Sequence, residues 1–374
     1  MKTDRTYDAA IIGGGIGGCA AALRAVQNNM TVLLFTGSKE SRKRSRSQWV
    51  YNIDNMIGFH EGVIKDQVLN DLRRGGHDAA ADLVAGEHYH INNRDIIANT
   101  LHRMRADYGH LIDIEEEDCQ SLQRREDGSF IVTGKERSFT TVAVVLATGI
   151  MDEQPVVPME DRGGEISMSS RPIYPFANRE SLIYCIRCEG HLTRDDAVAV
   201  IGGSPTAAEL TLMLFERYGN QVYLLTHGAE PPGTDDYRKL TKAYGIRIIT
   251  EPITEFSGRQ VGDLCCVRFA EHEEIFVKFG LVALGIHRVY NDLARQVGAQ
   301  LHAEEVPPER RQIVINHKGE SSVPGLFVVG DAGRRRDEIT MKQIYTAQEY
   351  AVRAVDTIDY RRRKARRRLL LADR

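Results

Sequence analysis

The hydrophobic positions of this chain recur as short apolar runs, each followed by glycines and then by a segment with helical periodicity. The first run, residues 7–12, is apolar at almost every position, which is typical of a buried strand. Residues 13–18 form a glycine-rich turn, residues 19–28 predict an alanine-rich helix, and residues 31–35 predict a second strand. This strand–turn–helix–strand order predicts a βαβ unit with a parallel sheet.

The same design recurs in the second half of the chain. Strand 197–201 is followed by a turn at 202–207, a helix at 208–218 and a strand at 221–225. The turn at residues 13–18 carries G-x-G-x-x-G in Gly13, Gly15 and Gly18, between a strand and a helix as that motif requires. The first glycine makes the tight turn, the second admits a pyrophosphate to the backbone, and the third lets the helix pack on the strand. The sequence therefore predicts a dinucleotide site at the first turn.

The remaining patterns indicate that the fold containing the second glycine-rich turn is inserted in the fold containing the first. Helices are expected at 64–84 and 95–108, a hairpin-like segment at 111–146, further strands at 247–250, 265–270 and 275–279, and a final helix at about 339–360. The irregular, aromatic-rich segment 48–63 is interpreted as a loop that either contacts a cofactor or packs on its own core. Residues 280–285 are interpreted as the return to the first domain.

We therefore predict an α/β protein with two Rossmann-like dinucleotide-binding domains of the three-layer β/β/α kind, the second inserted in the first. The predicted limits are 1–152 and 282–374 for the discontinuous first domain, and 153–281 for the inserted one.

Composition restricts the class of protein. The chain has 374 residues, of which 42% are hydrophobic and 27% charged, and it lacks an apolar run of the roughly 18 residues that a membrane span needs. Its first residues contain no apolar signal segment, so we expect a cytoplasmic location and no membrane partner.

The formal net charge of -3 is unevenly spread, because residues 361–374 carry eight cations and one acid. This basic end is either a solvated helix end or a docking arm for an acidic partner. Nucleic acid is not expected as a partner, since no aromatic residues interleave with the cations.

Six cysteines are too few for a disulfide scaffold in a chain of this length. Cys19, Cys119, Cys265 and Cys266 lack ligand spacing and are interpreted as bystander thiols. Cys185 and Cys188 form a C-x-x-C followed by Glu189 and Gly190. That motif serves zinc sites and redox dithiols alike. Its place between two glycine-rich turns favours a dithiol that works with a flavin, and His191 alone does not complete a zinc site, so no metal is predicted.

Six short motifs in this order resemble those of the low-molecular-weight thioredoxin reductase family of flavoproteins. They are G-G-G-I-G-G at 13–18, N-M-I-G-F at 55–59, A-T-G at 147–149, C-I-R-C-E-G at 185–190, V-P-G-L-F-V-V-G-D-A at 323–332 and K-Q-I-Y-T-A at 342–347. The resemblance covers about residues 7–358 and implies FAD as the cofactor and a homodimer.

By this resemblance, the second cysteine, Cys188, faces the flavin, Cys185 exchanges with a partner disulfide, and Glu189 gives and takes the proton. The partner implied is a thioredoxin-like protein or a small disulfide or dithiol substrate. The cofactor-binding residues implied are Gly13, Gly15, Ile16, Gly18, Asn55, Thr148, Gly149, Gly330, Asp331, Gln343 and Ile344. Among these, Asn55 lies near the flavin, Asp331 bonds the ribityl chain, and Gln343 with Ile344 borders the pyrimidine side.

The sequence departs from the family in both turns. After strand 31–35 the acid that holds the ribose hydroxyls is missing, and the basic segment 39–46 is a candidate to offer charge at the adenosine end instead. In the second turn, Ser204 and Pro205 stand where a nicotinamide site needs a second glycine and a free N–H. The strand that follows, 221–225, ends without the acid that would bind NAD and without the arginine pair that would hold the 2′-phosphate of NADP.

These departures favour a branch that does not use pyridine nucleotides, such as the deeply rooted cyanobacterial thioredoxin reductases. We predict an FAD-dependent disulfide oxidoreductase whose electron donor is not NADPH, with a ferredoxin-like donor as one possibility because of the basic end. The alternatives are an oxygen-dependent dithiol oxidase, an NADPH-dependent thioredoxin reductase and a flavin-bearing redox sensor.

Overall fold

The computed structural model describes residues 5–50, 53, 55–57, 66, 69–70, 73–76, 78, 93–303, 305–338 and 343–372. Most of the predicted helix at 64–84, most of the predicted loop at 48–63 and Lys342 lie outside the described residues. Within the described residues, no helix is both long and apolar enough to cross a bilayer.

Helices and strands alternate along the first part of the chain. In order they are β1 (Thr6–Ile12), α1 (Ile16–Gln27), β2 (Val32–Phe35), α2 (Lys39–Lys43), a 3-10 turn (Arg46–Gln48), α3 (Asn93–Tyr108), β3 (Ile112–Glu115), β4 (Ser121–Arg124), β5 (Phe130–Thr133), β6 (Ser138–Leu146) and β7 (Ile150–Asp152).

The middle part repeats the alternation and then turns to antiparallel strands. It comprises β8 (Val157–Glu160), β9 (Ile166–Ser169), α4 (Tyr174–Asn178), β10 (Leu182–Ile183), α5 (Ile186–Glu189), β11 (Ala197–Ile201), α6 (Pro205–Tyr218), β12 (Gln221–Leu225), α7 (Asp235–Ala243), β13 (Arg247–Ile249), β14 (Ile253–Gly258), β15 (Leu264–Phe269), β16 (Ile275–Phe276), β17 (Phe279–Val282) and β18 (Ile286–Val289). Short 3-10 turns lie at Arg171–Ile173 and Gly190–Thr193.

The last part is α8 (Asp292–Gln296), a 3-10 turn (Pro308–Arg310), β19 (Ile313–Val314), β20 (Leu326–Val328), β21 (Gly333–Arg334) and α9 (Ile344–Ala372). The helix α9 is longer than predicted and continues through the basic end. Arginine, alanine and leucine all favour helix, and Arg363 pairs with Asp359 one turn earlier at 2.8 Å.

By packing, the chain divides into two units. The first comprises residues 1–48, 93–151 and 288–374, and the second comprises 49–92 and 152–287. This division does not test the domain limits expected from the sequence, which stay a prediction.

The first unit is built on a mixed sheet in the order β3-β2-β1-β6-β5-β4, with β20 beside β6. The long strand β6 pairs in parallel with β1 over residues 140–146 and with β20 over residues 144–146, and antiparallel with β5 over residues 138–141. One strand therefore serves both the parallel and the antiparallel part. The chain leaves β1 between its neighbours β2 and β6, which is the switch point where α/β sheets bind ligands. Helices α1 and α9 pack together over this sheet.

The second unit has a parallel sheet in the order β10-β17-β11-β12-β13 and a separate antiparallel sheet, β14-β15-β16. Residues 280–282, the start of the segment interpreted as the return to the first domain, lie in a central strand of this sheet, because β17 pairs with both β10 and β11. Its apolar residues Leu281 and Val282 are buried there. The expected strand at 275–279 is divided between β16 and β17. The parallel strands of both sheets confirm the predicted α/β class with Rossmann-type folds.

Candidate functional site

The glycine-rich turn between β1 and α1 forms a cradle of backbone at the switch point of the first unit. Gly13 has φ of +119°, and a side chain there would collide with the carbonyl group of Ala147. A side chain on Gly18 would collide with the carbonyl of Gly13. At Gly15, by contrast, the space that a Cβ would fill is open among the described residues. Two glycines thus close the turn, and the third leaves room for a ligand.

The first turn of α1 has amides available for that ligand. The first intrahelical bond runs from the Cys19 N–H to the Gly15 carbonyl at 2.9 Å. The amides of Ile16, Gly17 and Gly18 precede it, and no side chain of the described residues caps them. Backbone amides and the helix dipole favour a phosphate at such a position. The residues therefore fit the pyrophosphate of a dinucleotide.

The turn after β6 lies beside this cradle, because Ala147 contacts Gly13. The Thr148 hydroxyl donates to the carbonyl of Tyr290 at 2.6 Å, and the Tyr290 N–H donates to the Gly149 carbonyl at 3.1 Å. Gly149 has φ of +71°, a conformation that favours glycine. Tyr290, which the sequence did not single out, thus fixes both predicted residues.

The turn after β20 closes the other side of the cradle. Gly330 follows β20, and a Cβ on Gly17 would lie 3.8 Å from the Gly330 nitrogen. The next residue is Asp331, whose backbone carbonyl accepts a hydrogen bond from the Gln312 side-chain amide at 2.7 Å. Its carboxylate lies 3.8 Å from the Arg46 guanidinium. The strand end therefore carries a partly buried carboxylate next to the turn.

Gln343 and Ile344 stand at the start of α9. Gln343 is buried, and its carbonyl accepts from the Ala347 N–H at 3.1 Å and from the Thr346 hydroxyl at 2.8 Å. Ile344 is the first helical residue, so a second helix N-terminus lies in the same unit.

At the end of β2, a serine–aspartate cluster stands where the ribose-binding acid is missing. Asp118 accepts from the backbone N–H of Ser38 at 2.9 Å, from its hydroxyl at 2.8 Å and from the Ser41 hydroxyl at 2.9 Å. Burial raises the pKa of Asp118, but these hydrogen bonds outweigh it and hold the pKa below its usual value. The segment expected to be a basic loop begins with helix α2, which Ser38 caps.

The redox motif lies in the second unit, where Cys185 and Cys188 form a disulfide at the start of α5. Cys185 is the N-cap, and its Sγ accepts from the Cys188 N–H at 3.3 Å. Glu189 is buried, and its Oε2 accepts from the backbone N–H groups of Tyr184 and Cys185, both at 3.1 Å. The carboxylate therefore holds the backbone at Cys185 in place, a contact that the sequence did not reveal.

Aromatic side chains cluster at Tyr184, the residue before this disulfide. The Tyr184 hydroxyl donates to Gln154 at 2.6 Å, and its ring contacts Trp49 edge-on. Trp49 also meets Tyr174, with ring centroids 4.7 Å apart. His191 is exposed. Among the described residues, no group of three or more potential ligands is placed to hold a metal ion.

The second glycine-rich turn, between β11 and α6, repeats the backbone of the first but is capped. The Ser204 hydroxyl accepts from the Ala207 N–H at 3.2 Å, and Pro205 at the first helical position has no N–H to give. The first intrahelical bond, from Ala208 to Ser204, follows directly. Of the three amides that a phosphate could meet, only that of Thr206 is left.

After β12, the side chain of His227 is likewise hydrogen-bonded to other backbone groups of the protein. His227 has φ of +54°, and its Nδ1 accepts from the Ile253 N–H at 2.9 Å. Its Nε2 lies 3.0 Å from the Val156 carbonyl, so this nitrogen carries the proton. Burial lowers the pKa of His227 and outweighs the opposite effect of that hydrogen bond. A neutral imidazole therefore stands where a cation would hold a 2′-phosphate.

Comparison with known proteins agrees with this architecture. The pattern of the pyridine nucleotide-disulphide oxidoreductase family matches residues 7–351. The chain belongs to this family. Members of its thioredoxin reductase-like group are FAD-binding flavoproteins, which confirms the predicted cofactor.

Two curated relatives are similar over most of this chain. The bifunctional thioredoxin reductase/thioredoxin of Mycobacterium leprae is 23% identical over 91% of this chain and 62% of its own length. An alkyl hydroperoxide reductase component of Xanthomonas campestris pv. phaseoli is 24% identical over 89% of this chain and 53% of its own length. The chain thus spans between half and two thirds of the length of these relatives.

A solved structure shows the same fold. The putative thioredoxin reductase TrxB of Bacillus anthracis superposes with a TM-score of 0.71 at 18% identity, covering 96% of this chain and 99% of its own.

The structure brings most of the predicted family residues into one place. Within the first unit, the turns after β1, β6 and β20 and the start of α9 carry Gly13, Gly15, Ile16, Gly18, Thr148, Gly149, Gly330, Asp331, Gln343 and Ile344. Asn55 lies in a turn that is grouped with the second unit, and its flavin contact stays a prediction. Tyr290 was missed, since it lies in no motif, whereas Arg46 was marked only as one member of the basic segment 39–46.

Proposed function

We propose that this protein is an FAD-dependent disulfide oxidoreductase that passes two electrons between its flavin and a thioredoxin-like disulfide through Cys185 and Cys188. The Cys185–Cys188 disulfide at the start of α5 is the observation that carries the proposal. FAD, when bound, supplies the two-electron carrier. We further propose that the protein acts as a homodimer, as the resemblance implies, and that it is cytoplasmic.

The two cysteines have different roles in this proposal. Two electrons and two protons convert the disulfide into two thiols. The Cys185 thiolate then attacks a sulfur of the partner disulfide and forms a mixed disulfide, releasing one partner thiolate. Cys188 attacks the Cys185 sulfur, which frees the second partner thiol and restores the original disulfide. The Cys188 N–H at 3.3 Å from the Cys185 sulfur supports this assignment, because it stabilises negative charge on the attacking atom.

Glu189 is proposed to take the proton that leaves a cysteine and to return it to the partner thiolate. Its Oε2 accepts from the backbone N–H of Cys185 itself, so the carboxylate is held next to the exchanging residue. The same bond orients Cys185, and loss of the carboxylate is therefore expected to affect both proton transfer and geometry.

The electron donor is proposed to be something other than a pyridine nucleotide. Support comes from the capped second turn, where Ser204 and Pro205 remove two of three amides, and from the neutral His227 at the end of β12.

A ferredoxin-like donor is the candidate that the basic helix end favours. Arg361 is bound to Glu320, and Arg362 to Asp8, so part of this end holds the helix to its own unit. Beyond them the cations Lys364, Arg366, Arg367 and Arg368 are exposed and available to an acidic protein.

The test is an anaerobic reduction experiment on the FAD-loaded protein. NADPH, NADH and reduced ferredoxin are mixed with it in turn while the flavin absorbance is followed, and thioredoxin turnover is then measured. We expect rapid bleaching by ferredoxin and slow bleaching by either nucleotide. Rapid bleaching by micromolar NADPH would contradict the donor assignment. Rapid reoxidation by oxygen without thioredoxin turnover would indicate the dithiol oxidase instead.

Cys188→Ser tests the relay in the same assay. We expect thioredoxin reduction to fall by at least about 1,000-fold, because no disulfide can re-form to release the partner. Cys119→Ser is the matched control: burial raises the pKa of Cys119 to about 11, so its thiol is a poor nucleophile and its loss should change nothing.

A further inference from the structure

The segment that follows β2 carries five cations, Lys39, Arg42, Lys43, Arg44 and Arg46, and one acid, Glu40. Four of the five cationic side chains are exposed. Arg46 differs, because only 14% of its side chain is exposed. A buried guanidinium needs a compensating anion, so the surroundings of Arg46 indicate what it binds.

A tyrosine holds this segment against the cofactor cradle. The Tyr290 hydroxyl donates to the Arg44 carbonyl at 2.8 Å. Tyr290 is itself bound through its backbone to Thr148 and Gly149, in the turn after β6. The position of Arg46 is therefore fixed relative to the predicted cofactor residues.

The guanidinium of Arg46 reaches the opposite side of the cradle, where its Nη1 lies 3.8 Å from Oδ2 of Asp331. Gly330, the preceding residue, packs against Gly17 in the first turn of α1. Arg46 is thus paired with the residue that follows Gly330, on the side of the cradle that borders the uncapped amides of α1. A separation of 3.8 Å is longer than the roughly 2.7–2.9 Å of a charge-assisted hydrogen bond, so the pair is an ion pair of loose geometry.

We propose that Arg46 binds the diphosphate of FAD, and that in the cofactor-free protein its charge is balanced by Asp331. The guanidinium fork matches phosphate oxygens in a way that a lysine does not. Its positive charge adds to that of the α1 dipole, which alone does not neutralise a diphosphate. The inference rests on the flavin site of the proposed function and is independent of the electron donor. In this proposal the basic segment 39–46 contacts FAD at the diphosphate, through Arg46, whereas the sequence suggested a contact at the adenosine end.

The test compares flavins with and without phosphate. Cofactor-free wild-type protein, Arg46→Gln and Arg46→Lys are titrated with FAD and with riboflavin, and binding is followed by flavin fluorescence. We expect Arg46→Gln to weaken FAD binding by about 10- to 100-fold, in line with the loss of one charged hydrogen bond, and to leave riboflavin binding unchanged. Arg46→Lys should lose about 3- to 10-fold, since the charge remains without the fork. The salt dependence of FAD binding should also be shallower in Arg46→Gln.

Lys43→Gln is the matched control, because it removes the same charge from an exposed position three residues away. It should bind FAD like the wild type. FAD binding by Arg46→Gln within twofold of wild type, or an equal loss for FAD and riboflavin, would overturn the proposal. If Arg46→Gln fails to fold, as circular dichroism would show, Arg46→Lys carries the test. Failure of the wild type to bind FAD would instead contradict the flavin site itself.

Discussion

The two glycine-rich turns follow parallel strands in the same way, yet the helices that they begin differ in their first three amides. In the first turn, Gly15 leaves the amides of Ile16, Gly17 and Gly18 before the first intrahelical bond. In the second, a serine side chain takes one amide and a proline removes another. A helix start that is satisfied by its own residues is stable without a ligand, whereas an uncapped one gains its partners from the ligand. We therefore expect the first turn to bind a cofactor and the second to be purely structural.

The largest effect is expected when the first turn is given the serine and proline of the second turn. Gly15→Ser with Ile16→Pro should lower FAD affinity by about 100-fold or more, because two backbone amides that would donate hydrogen bonds to the charged diphosphate are lost. The backbone tolerates the change: Gly15 has φ of -78° and ψ of -172°, close to the -92° and 160° of Ser204. Serine at the N-cap and proline at the next position both favour a helix start. The measurement is a fluorescence titration with FAD.

Circular dichroism of the same variant without FAD is the control, and it should match the wild type. Tight FAD binding by a properly folded double variant would show that the uncapped amides do not hold the cofactor.

The contrast between the turns was predictable only in part. Gly13, Gly15 and Gly18 could be read from the sequence, because a local backbone requirement leaves a local signature. The fact that Ser204 caps Ala207 follows from the same kind of local rule. The role of Tyr290, and the position of Arg46 within the basic segment, could not be predicted, since both depend on segments about 140 and 285 residues away in the chain being brought to one edge of the sheet.

In the fold, too, local patterns were predictable from the sequence and long-range pairings were not. Strands β11 and β12 agree with the predicted ranges, because apolar runs flanked by glycine mark a buried strand. The pairing of β17 could not be predicted, since a short apolar run carries no information about which sheet it joins. Glu189 was predicted from the resemblance, but its bonds to the backbone of Tyr184 and Cys185 needed the folded turn.

The reverse exchange should sharpen the comparison with a smaller effect. Ser204→Gly with Pro205→Ile restores up to two amides at the start of α6, and we expect the rate of flavin reduction by sub-saturating NADPH to rise about 10-fold. Replacing the serine cap by glycine should cost only a few tenths of a kcal/mol of stability, and losing the proline about 0.4–1 kcal/mol more, both measured by urea unfolding. An unchanged rate, with the stability loss present, would mean that the end of β12 and not the turn limits nucleotide use.

His227 at the end of β12 gives the smallest predicted effect, a dependence of stability on pH. Because the folded protein lowers the pKa of His227 below its usual value near 6.5, the unfolded chain binds the proton more readily. The stabilisation from the neutral imidazole is therefore complete above about pH 6.5 and is lost as the pH falls below it. One proton changes the free energy of unfolding by at most about 1.4 kcal/mol per pH unit, and solvent access keeps the effect of His227 smaller. His227→Asn suits the positive φ and keeps an acceptor for the Ile253 N–H. Urea unfolding of both proteins at pH 7 and pH 5 should show a smaller decline for the variant, and equal declines would mean that His227 contributes no pH dependence to the second unit.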